Sequence, residues 1–152
     1  MRHILFLFLL IPFTSQAMQP QEAGINPEQV IYLTNQQRLS KNLPPLLVNE
    51  NLNRAAYAKA QYILRRQNFS HQGWEHFIRE SGYNYCSAGE NLGLNQTEAE
   101  EVVDAWMMSP PHRANILREK YREIGVAVVR GRYKNIDDAV IIVQMFGSGC
   151  MW

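Results

Sequence analysis

Apolar and polar positions change rhythm several times along this chain, and each change marks an element. Val30, Leu33, Thr34 and Gln37 recur at helical spacing, which predicts a helix over 27 to about 41. Asn26 stands where an N-cap belongs and Pro27 in the first turn, with the stretch Leu43-Pro44-Pro45 ending the helix. After the short apolar bridge Leu46, Leu47 and Val48, Asn49 is placed to cap a second helix over 50 to about 67, with Leu52, Ala55, Ala56, Lys59 and Ile63 on one face. The many alanines there let another element pack closely. The stretch NFSHQG breaks this helix, and WEHFIRE predicts a short one over 74–80, ended by Ser81-Gly82.

Residues 82–96, GYNYCSAGENLGLNQ, have neither period and are rich in Gly, Asn and Ser. They read as a long irregular segment, a natural place for a site. Thr97, Glu98, Ala99 and Glu100 fit the capping-box pattern, so a helix follows to about 108, with Ala99, Val102, Val103 and Trp106 on one face. Pro110-Pro111 stops it, and a turn with a short helical piece covers 112 to about 117. The last third changes character. EIGVAVVRG and DAVIIVQMFG are rich in β-branched residues and flank a turn-like linker, the signature of a β-hairpin. Both strands are almost continuously apolar, so the sheet should be covered on both faces. The expected fold is α+β: an α-β-α sandwich with a small antiparallel sheet between helical layers.

The first residues break this scheme. Arg2 and His3 precede an apolar run over 4–13, and Ser15-Gln16-Ala17 gives a small-x-small ending. This predicts a signal peptide over 1–17, a flexible arm over 18–26 and one domain over 27–152. An uncleaved anchor is the competing reading, against which the run is short for a bilayer. The formal charge of +1 falls to zero when the leader, with its one arginine, is removed. Lysines and arginines are scattered, which argues against a nucleic-acid partner. Cys86 and Cys150 are the two cysteines. In an oxidising compartment they can pair; two free thiols, or a catalytic Cys86, are the other readings.

Three residues could carry chemistry together. His71, Glu90 and His112 each lie in turn-like sequence beside apolar neighbours, and a polar group held near a core needs a partner. Two imidazoles and a carboxylate that converge could hold a divalent cation or position a water. Singly, each reads more simply as a structural histidine or a loop-tying glutamate. Other candidates have simpler readings too. His76 and Glu80 share a helix face but suit a surface hydrogen bond, and no H-E-x-x-H run is present. Ser109 lies three residues before His112, without a G-x-S-x-G turn around it. Tyr83 and Tyr85 could line a cleft or simply pack. Asn91 can brace a turn that aims Glu90 inward.

Taken together and in order, NFSH, AGENLG, VVDAW, SPPHRANIL, EIGVAV and VQMFG resemble the CAP superfamily. That family groups cysteine-rich secretory proteins, antigen 5 and plant pathogenesis-related 1 proteins, and its domain is also called SCP. The likeness spans residues 30 to 147 and is greatest to the short bacterial branch. It implies a central cavity lined by two histidines and two glutamates able to hold Zn2+ or another divalent cation. Matched motif by motif, these positions fall on His71, Glu90 and His112. The second glutamate's position is taken by Ser109, so one acid is missing. Asn91 and Ser109 are expected beside the site as ligand-binding residues. With the leader removed, the chain is expected to be a monomer, secreted or periplasmic. It would bind a metal, an apolar ligand such as a lipid, or an envelope or host protein. A metal-assisted hydrolase using His71, Glu90 and His112 is the alternative.

Overall fold

Two asparagines start the first two long helices. In the computed structural model, which describes residues 24–150, the Asn26 side chain accepts from the Glu28 N–H at 2.8 Å and opens α1, Pro27–Leu39. Asn49 accepts from the N–H groups of Asn51 and Leu52 and opens α2, Glu50–Arg66. The expected leader and most of the arm lie outside the described residues; at the arm's end Ile25 is buried in the core. The buried stripe of α1 is Val30, Ile31, Thr34 and Arg38, turned slightly from the expected face. Arg38 lies on this stripe. Its guanidinium is fully buried and donates to the carbonyls of Pro44, Ile116, Arg118 and Tyr121. Carbonyls rather than a carboxylate thus satisfy its donors.

The chain continues through β1 (Leu47–Val48), α3 (Trp74–Glu80), β2 (Tyr85–Leu94), α4 (Ala99–Met108), α5 (Pro110–Ile116), β3 (Glu123–Tyr133) and β4 (Ile136–Gly149). The expected capping box is shifted by one residue. Glu98 is the N-cap of α4 without a side-chain bond, and the Glu101 carboxylate accepts from the Thr97 N–H at 2.9 Å.

The four strands form one sheet in the order β1-β3-β4-β2. β3 and β4 make the expected hairpin. Two features differ from expectation. The Leu46–Val48 bridge supplies a short strand that pairs with β3 in parallel, so the sheet is mixed. The stretch expected to be irregular is largely β2, antiparallel to β4 along Tyr85 to Leu94. Its glycines disguise it, and packing demands them. A Cβ on Gly89 would stand 2.3 Å from the Tyr121 hydroxyl, and one on Gly93 would stand 2.8 Å from Val102.

Register sorts the side chains onto two faces. Gly89, Asn91 and Gly93 pair with Phe146, Gln144 and Ile142 and face α1, α4 and α5, whose apolar stripes form one core cluster. Glu90 and Leu92 pair with Met145 and Val143 and face α2 and α3, which form the other. α2 lies so near the sheet that a Cβ on Gly125 would meet Leu52 backbone at 2.2 Å. Cys86 and Cys150 form a disulfide across 64 residues. It ties the end of the chain to the start of β2, worth about 4 kcal/mol in the chain-entropy model. The result is an α-β-α sandwich, and its β2 edge is where the two helical layers can meet around the sheet.

Candidate functional site

Three separate pieces of backbone reach that edge. Glu90 comes from the α2-facing side of β2. His71 comes from the α2–α3 connection, which is anchored on both sides of it. The Phe69 N–H donates to the Tyr133 hydroxyl at 3.1 Å, and the Lys59 ammonium donates to the Gln72 carbonyl at 2.9 Å. His112 comes from the first turn of α5, which Pro110 and Pro111 start abruptly after α4. Two asparagines hold that turn against β2. The Asn115 amide donates to the Glu90 carbonyl and to Asn91 Oδ1, both at 3.0 Å. Asn91 in turn donates to the His112 carbonyl at 3.2 Å.

The outcome is a shared cleft of about 390 Å3, with His71, Glu90, His112, Asn115, Arg118 and Tyr121 among its lining residues. His71 Nδ1 and Glu90 Oε1 are 2.8 Å apart. The His71 and His112 rings lie with centroids 5.9 Å apart and planes inclined by 44°. Exposure within the pair is lopsided: the His71 side chain is 53% exposed and that of Glu90 1%. The second carboxylate oxygen, Glu90 Oε2, is buried without a hydrogen-bond partner. Burial therefore pushes the Glu90 carboxyl above its ordinary range, against the lowering effects of the His71 hydrogen bond and the Lys59 charge. Burial, and next the neighbouring His71, hold the His112 imidazole below its ordinary value. Both shifts disfavour charge in a poorly solvated place.

Asn91 and Ser109 stand elsewhere. Asn91 is fully buried, and its amide is occupied by Asn115, His112 and Gln144, so it braces the cleft without lining it. Ser109 is the joint between α4 and α5, and its carbonyl accepts from the Arg113 N–H. It too is absent from the lining. Tyr83 is buried with its hydroxyl on Glu123, and Tyr85 accepts from Arg79. His76 lines a separate hollow of about 700 Å3 between α2 and α3; that hollow is larger but holds none of the three convergent residues.

Sequence reasoning passed over Lys59, Arg118 and Tyr121. Lys59 is buried, and burial lowers its ammonium pKa while Glu90 and then Glu75 raise it. A lysine in an alanine-rich apolar stripe was the available signal. Arg118 and Tyr121 sit in a polar connection with no pattern to mark them.

This arrangement defines a class: a three-layer α-β-α domain with two histidines and a buried glutamate at the open edge of its sheet. The cysteine-rich secretory protein (CAP) family model matches residues 31–146, and the chain belongs to that family. It is 36% identical to the uncharacterized protein YkwD of Bacillus subtilis, over 72% of this chain and 45% of that protein. A second Bacillus subtilis relative, the uncharacterized membrane protein YlbC, is 26% identical over 70% of this chain and 32% of its own length. The chain thus spans less than half of the curated relatives it matches. Among solved structures, an outer surface protein of Borrelia burgdorferi superposes with a TM-score of 0.71 at 20% identity, covering 81% of this chain and 92% of that one. A cysteine-rich secretory protein of Staphylococcus aureus gives 0.68 at 25% identity, covering 80% and 38%. An extracellular SCP-domain protein of Bacillus anthracis gives 0.69 at 24%, covering 79% and 39%. Among the described residues no helix is long and apolar enough to cross a membrane.

The fit to a metal can be tested on the geometry. Among the described residues, no three His, Cys, Asp or Glu side chains are gathered as a metal cage. Glu90 spends one oxygen on His71 Nδ1. What the cleft offers is two imidazoles, one of them oriented by a carboxylate. A carboxylate on the other ring nitrogen in this way commonly accompanies a ligating histidine.

Proposed function

We propose that this domain is an exported binding module whose β2-edge cleft takes a divalent cation on His71 and His112. The observation that carries the reading is Glu90. It is a buried carboxylate with one oxygen on His71 Nδ1 and the other without a partner. Such an arrangement costs stability and has no packing purpose. Where Glu90 is ionised, Nδ1 must donate to it, which leaves Nε2 as the open lone pair of His71. The carboxylate then fixes the ring and adds negative charge beside the cation. A bound cation would supply Lewis acidity and an attachment point for a ligand's oxygen. Among the described residues no serine, threonine or cysteine lines the cleft, and both cysteines are in the disulfide, so a hydrolase here would have to act through a metal-activated water. Export is supported by the extracellular and outer-surface descriptions of the structural relatives.

Calorimetric titration with Zn2+ tests the reading. The expected result is one saturable site, weakened at least about tenfold by His71→Ala, by His112→Ala and by Glu90→Ala. Zn2+ uptake unchanged in all three variants would place any metal elsewhere and remove the proposed function.

A further inference from the structure

Beside the histidine cleft, around Arg118, lies a second hollow of about 510 Å3, lined by Cys86, Ser87, Arg118, Lys120, Arg122, Ser148 and Gly149. Arg118 lines both hollows. We infer that the second hollow is a subsite for a phosphate-bearing ligand, whose chain runs past Arg118 toward the histidine cleft.

Charge comes first. Three basic side chains line the hollow and no acidic one does; Glu119, between Arg118 and Lys120, is not part of the lining. Among the described residues, Arg118, Lys120 and Arg122 make no ion pair with a carboxylate. The whole chain carries a formal charge of only +1, so this local excess is not a by-product of a basic composition. It is invisible to a reading of net charge.

Preorganisation comes next. The Arg118 guanidinium lies over the Tyr121 ring at 5.5 Å. That ring is buried, stacked on Phe146 at 5.3 Å, and its hydroxyl donates to the Ala88 carbonyl at 2.8 Å. The Arg118 carbonyl is itself held by the buried Arg38 at 3.0 Å. Arg122 is braced by its own segment, donating to the Tyr121 carbonyl at 2.9 Å. Two of the three cations therefore stand on fixed supports and would lose little freedom on binding.

Donor count then selects the ligand class. Two arginines, a lysine and the serines Ser87 and Ser148, all able to donate, are among the residues that line one hollow. A carboxylate's two oxygens offer about four acceptor positions, fewer than these donors can fill. A phosphate group has more acceptor oxygens and suits the forked geometry of arginine. The inference does not depend on a cation being bound at His71 and His112.

The experiment is titration of the full chain with sodium tripolyphosphate in the presence of EDTA. Calorimetry and backbone amide shifts would be followed, with a glutamate oligomer of equal charge in a parallel arm. Expected are saturable one-to-one binding, shifts centred on residues 87, 118–122 and 148, and a loss of about tenfold in affinity for Arg118→Gln. The pair Lys120→Gln with Arg122→Gln should weaken it further. Affinity should fall as salt rises. These side chains are exposed, so the variants should keep the wild-type melting temperature. Vesicles containing phosphatidylglycerol and a soluble glycerol-phosphate oligomer identify the source: loss of vesicle binding in Arg118→Gln supports a lipid headgroup, and loss of oligomer binding supports a free phosphodiester. Absence of saturable binding, indifference to Arg118→Gln, or equal affinity for the glutamate oligomer would each overturn the inference.

Discussion

The two faces of the sheet solve the same problem in opposite ways. On the face covered by α1, α4 and α5, most buried polar groups are joined in a chain, with Gln96 Oε1 left unpartnered beside it. Asn115 donates to Asn91, Asn91 to Gln144, and Gln144 to Thr34 at 2.8 Å. Nearby, the Trp106 indole donates to the Leu92 carbonyl, and Arg38 finds four carbonyls. On the face covered by α2 and α3 the core is mostly alanine, leucine and isoleucine, yet it holds two charges in poor company. Glu90 has an oxygen with no partner, and the Lys59 ammonium makes a single hydrogen bond, to Gln72, beside the Phe77 ring. One face holds its turn rigidly through satisfied hydrogen bonds; the other keeps charge in reserve. The difference teaches where function resides. A satisfied network fixes geometry, whereas an under-satisfied charge costs stability and is worth keeping only for what it binds.

The comparison breaks most visibly at Asn91. Asn91→Leu would remove a donor from the His112 carbonyl and from Gln144, and an acceptor from Asn115. Several buried polar atoms would lose their partners together. We expect a loss of about 3 kcal/mol, measured by urea unfolding, with the α5 turn loosened. A loss below about 1 kcal/mol would mean that the network is replaced by water and is not what fixes His112.

Glu90→Gln should act in the opposite direction. The substitution removes a carboxylate that burial drives toward its protonated form and keeps an oxygen for His71. The sign follows from linkage. A raised carboxyl favours the folded state below about pH 4.5, and that contribution is lost as pH rises through its folded value. At pH 7 the ionised group is therefore a cost, and Glu90→Gln should stabilise the domain by about 1 kcal/mol, while weakening any cation site. Destabilisation at pH 7 with an unchanged pH profile would show that Glu90 serves the fold.

Much of this architecture could be read from the chain, for identifiable reasons. Helices α1 and α2 announce themselves through Asn26, Asn49 and apolar spacing, and the hairpin through its β-branched runs. β2 could not be read this way. Gly89 and Gly93 stand where strand propensity asks for bulk, because Tyr121 and Val102 fill their space, and that crowding exists only in three dimensions. The convergence of His71, Glu90 and His112 was suggested by family resemblance; nothing in their spacing requires it. Arg118 was hidden for a further reason. Its partners are Tyr121, through the ring, and Arg38, through a carbonyl, and neither contact leaves a sequence period.

Lys59 sharpens the comparison at nearly constant stability. Lys59→Met keeps the shape and removes a buried ammonium. Removing the ammonium relieves the cost of burying it, which offsets the loss of its attraction to Glu90, and the Gln72 carbonyl belongs to an exposed residue that water can reach. The global change should stay within about 1 kcal/mol. The segment 68–73, however, loses one of the two anchors that hold His71. Hydrogen exchange should quicken there and nowhere else. Slow exchange in that segment of the variant would assign the anchoring to the Phe69–Tyr133 bond alone.

The smallest effect concerns His112, and it distinguishes the faces by pH. Burial and the nearby His71 hold this imidazole below its ordinary value of 6.5. The folded state therefore resists protonating it. Its contribution to stability is fully present above about pH 6.5 and is lost as pH falls from there through the lowered folded value, the reverse of the Glu90 trend. The ring is only half-buried, so solvent screening keeps the effect well under about 1 kcal/mol. Comparing His112→Asn with wild type between pH 7.5 and 5 should show a slightly shallower acid-side decline in the variant. Parallel profiles would mean that His112 is as easily protonated folded as unfolded, and the cleft would then be wetter than its lining implies.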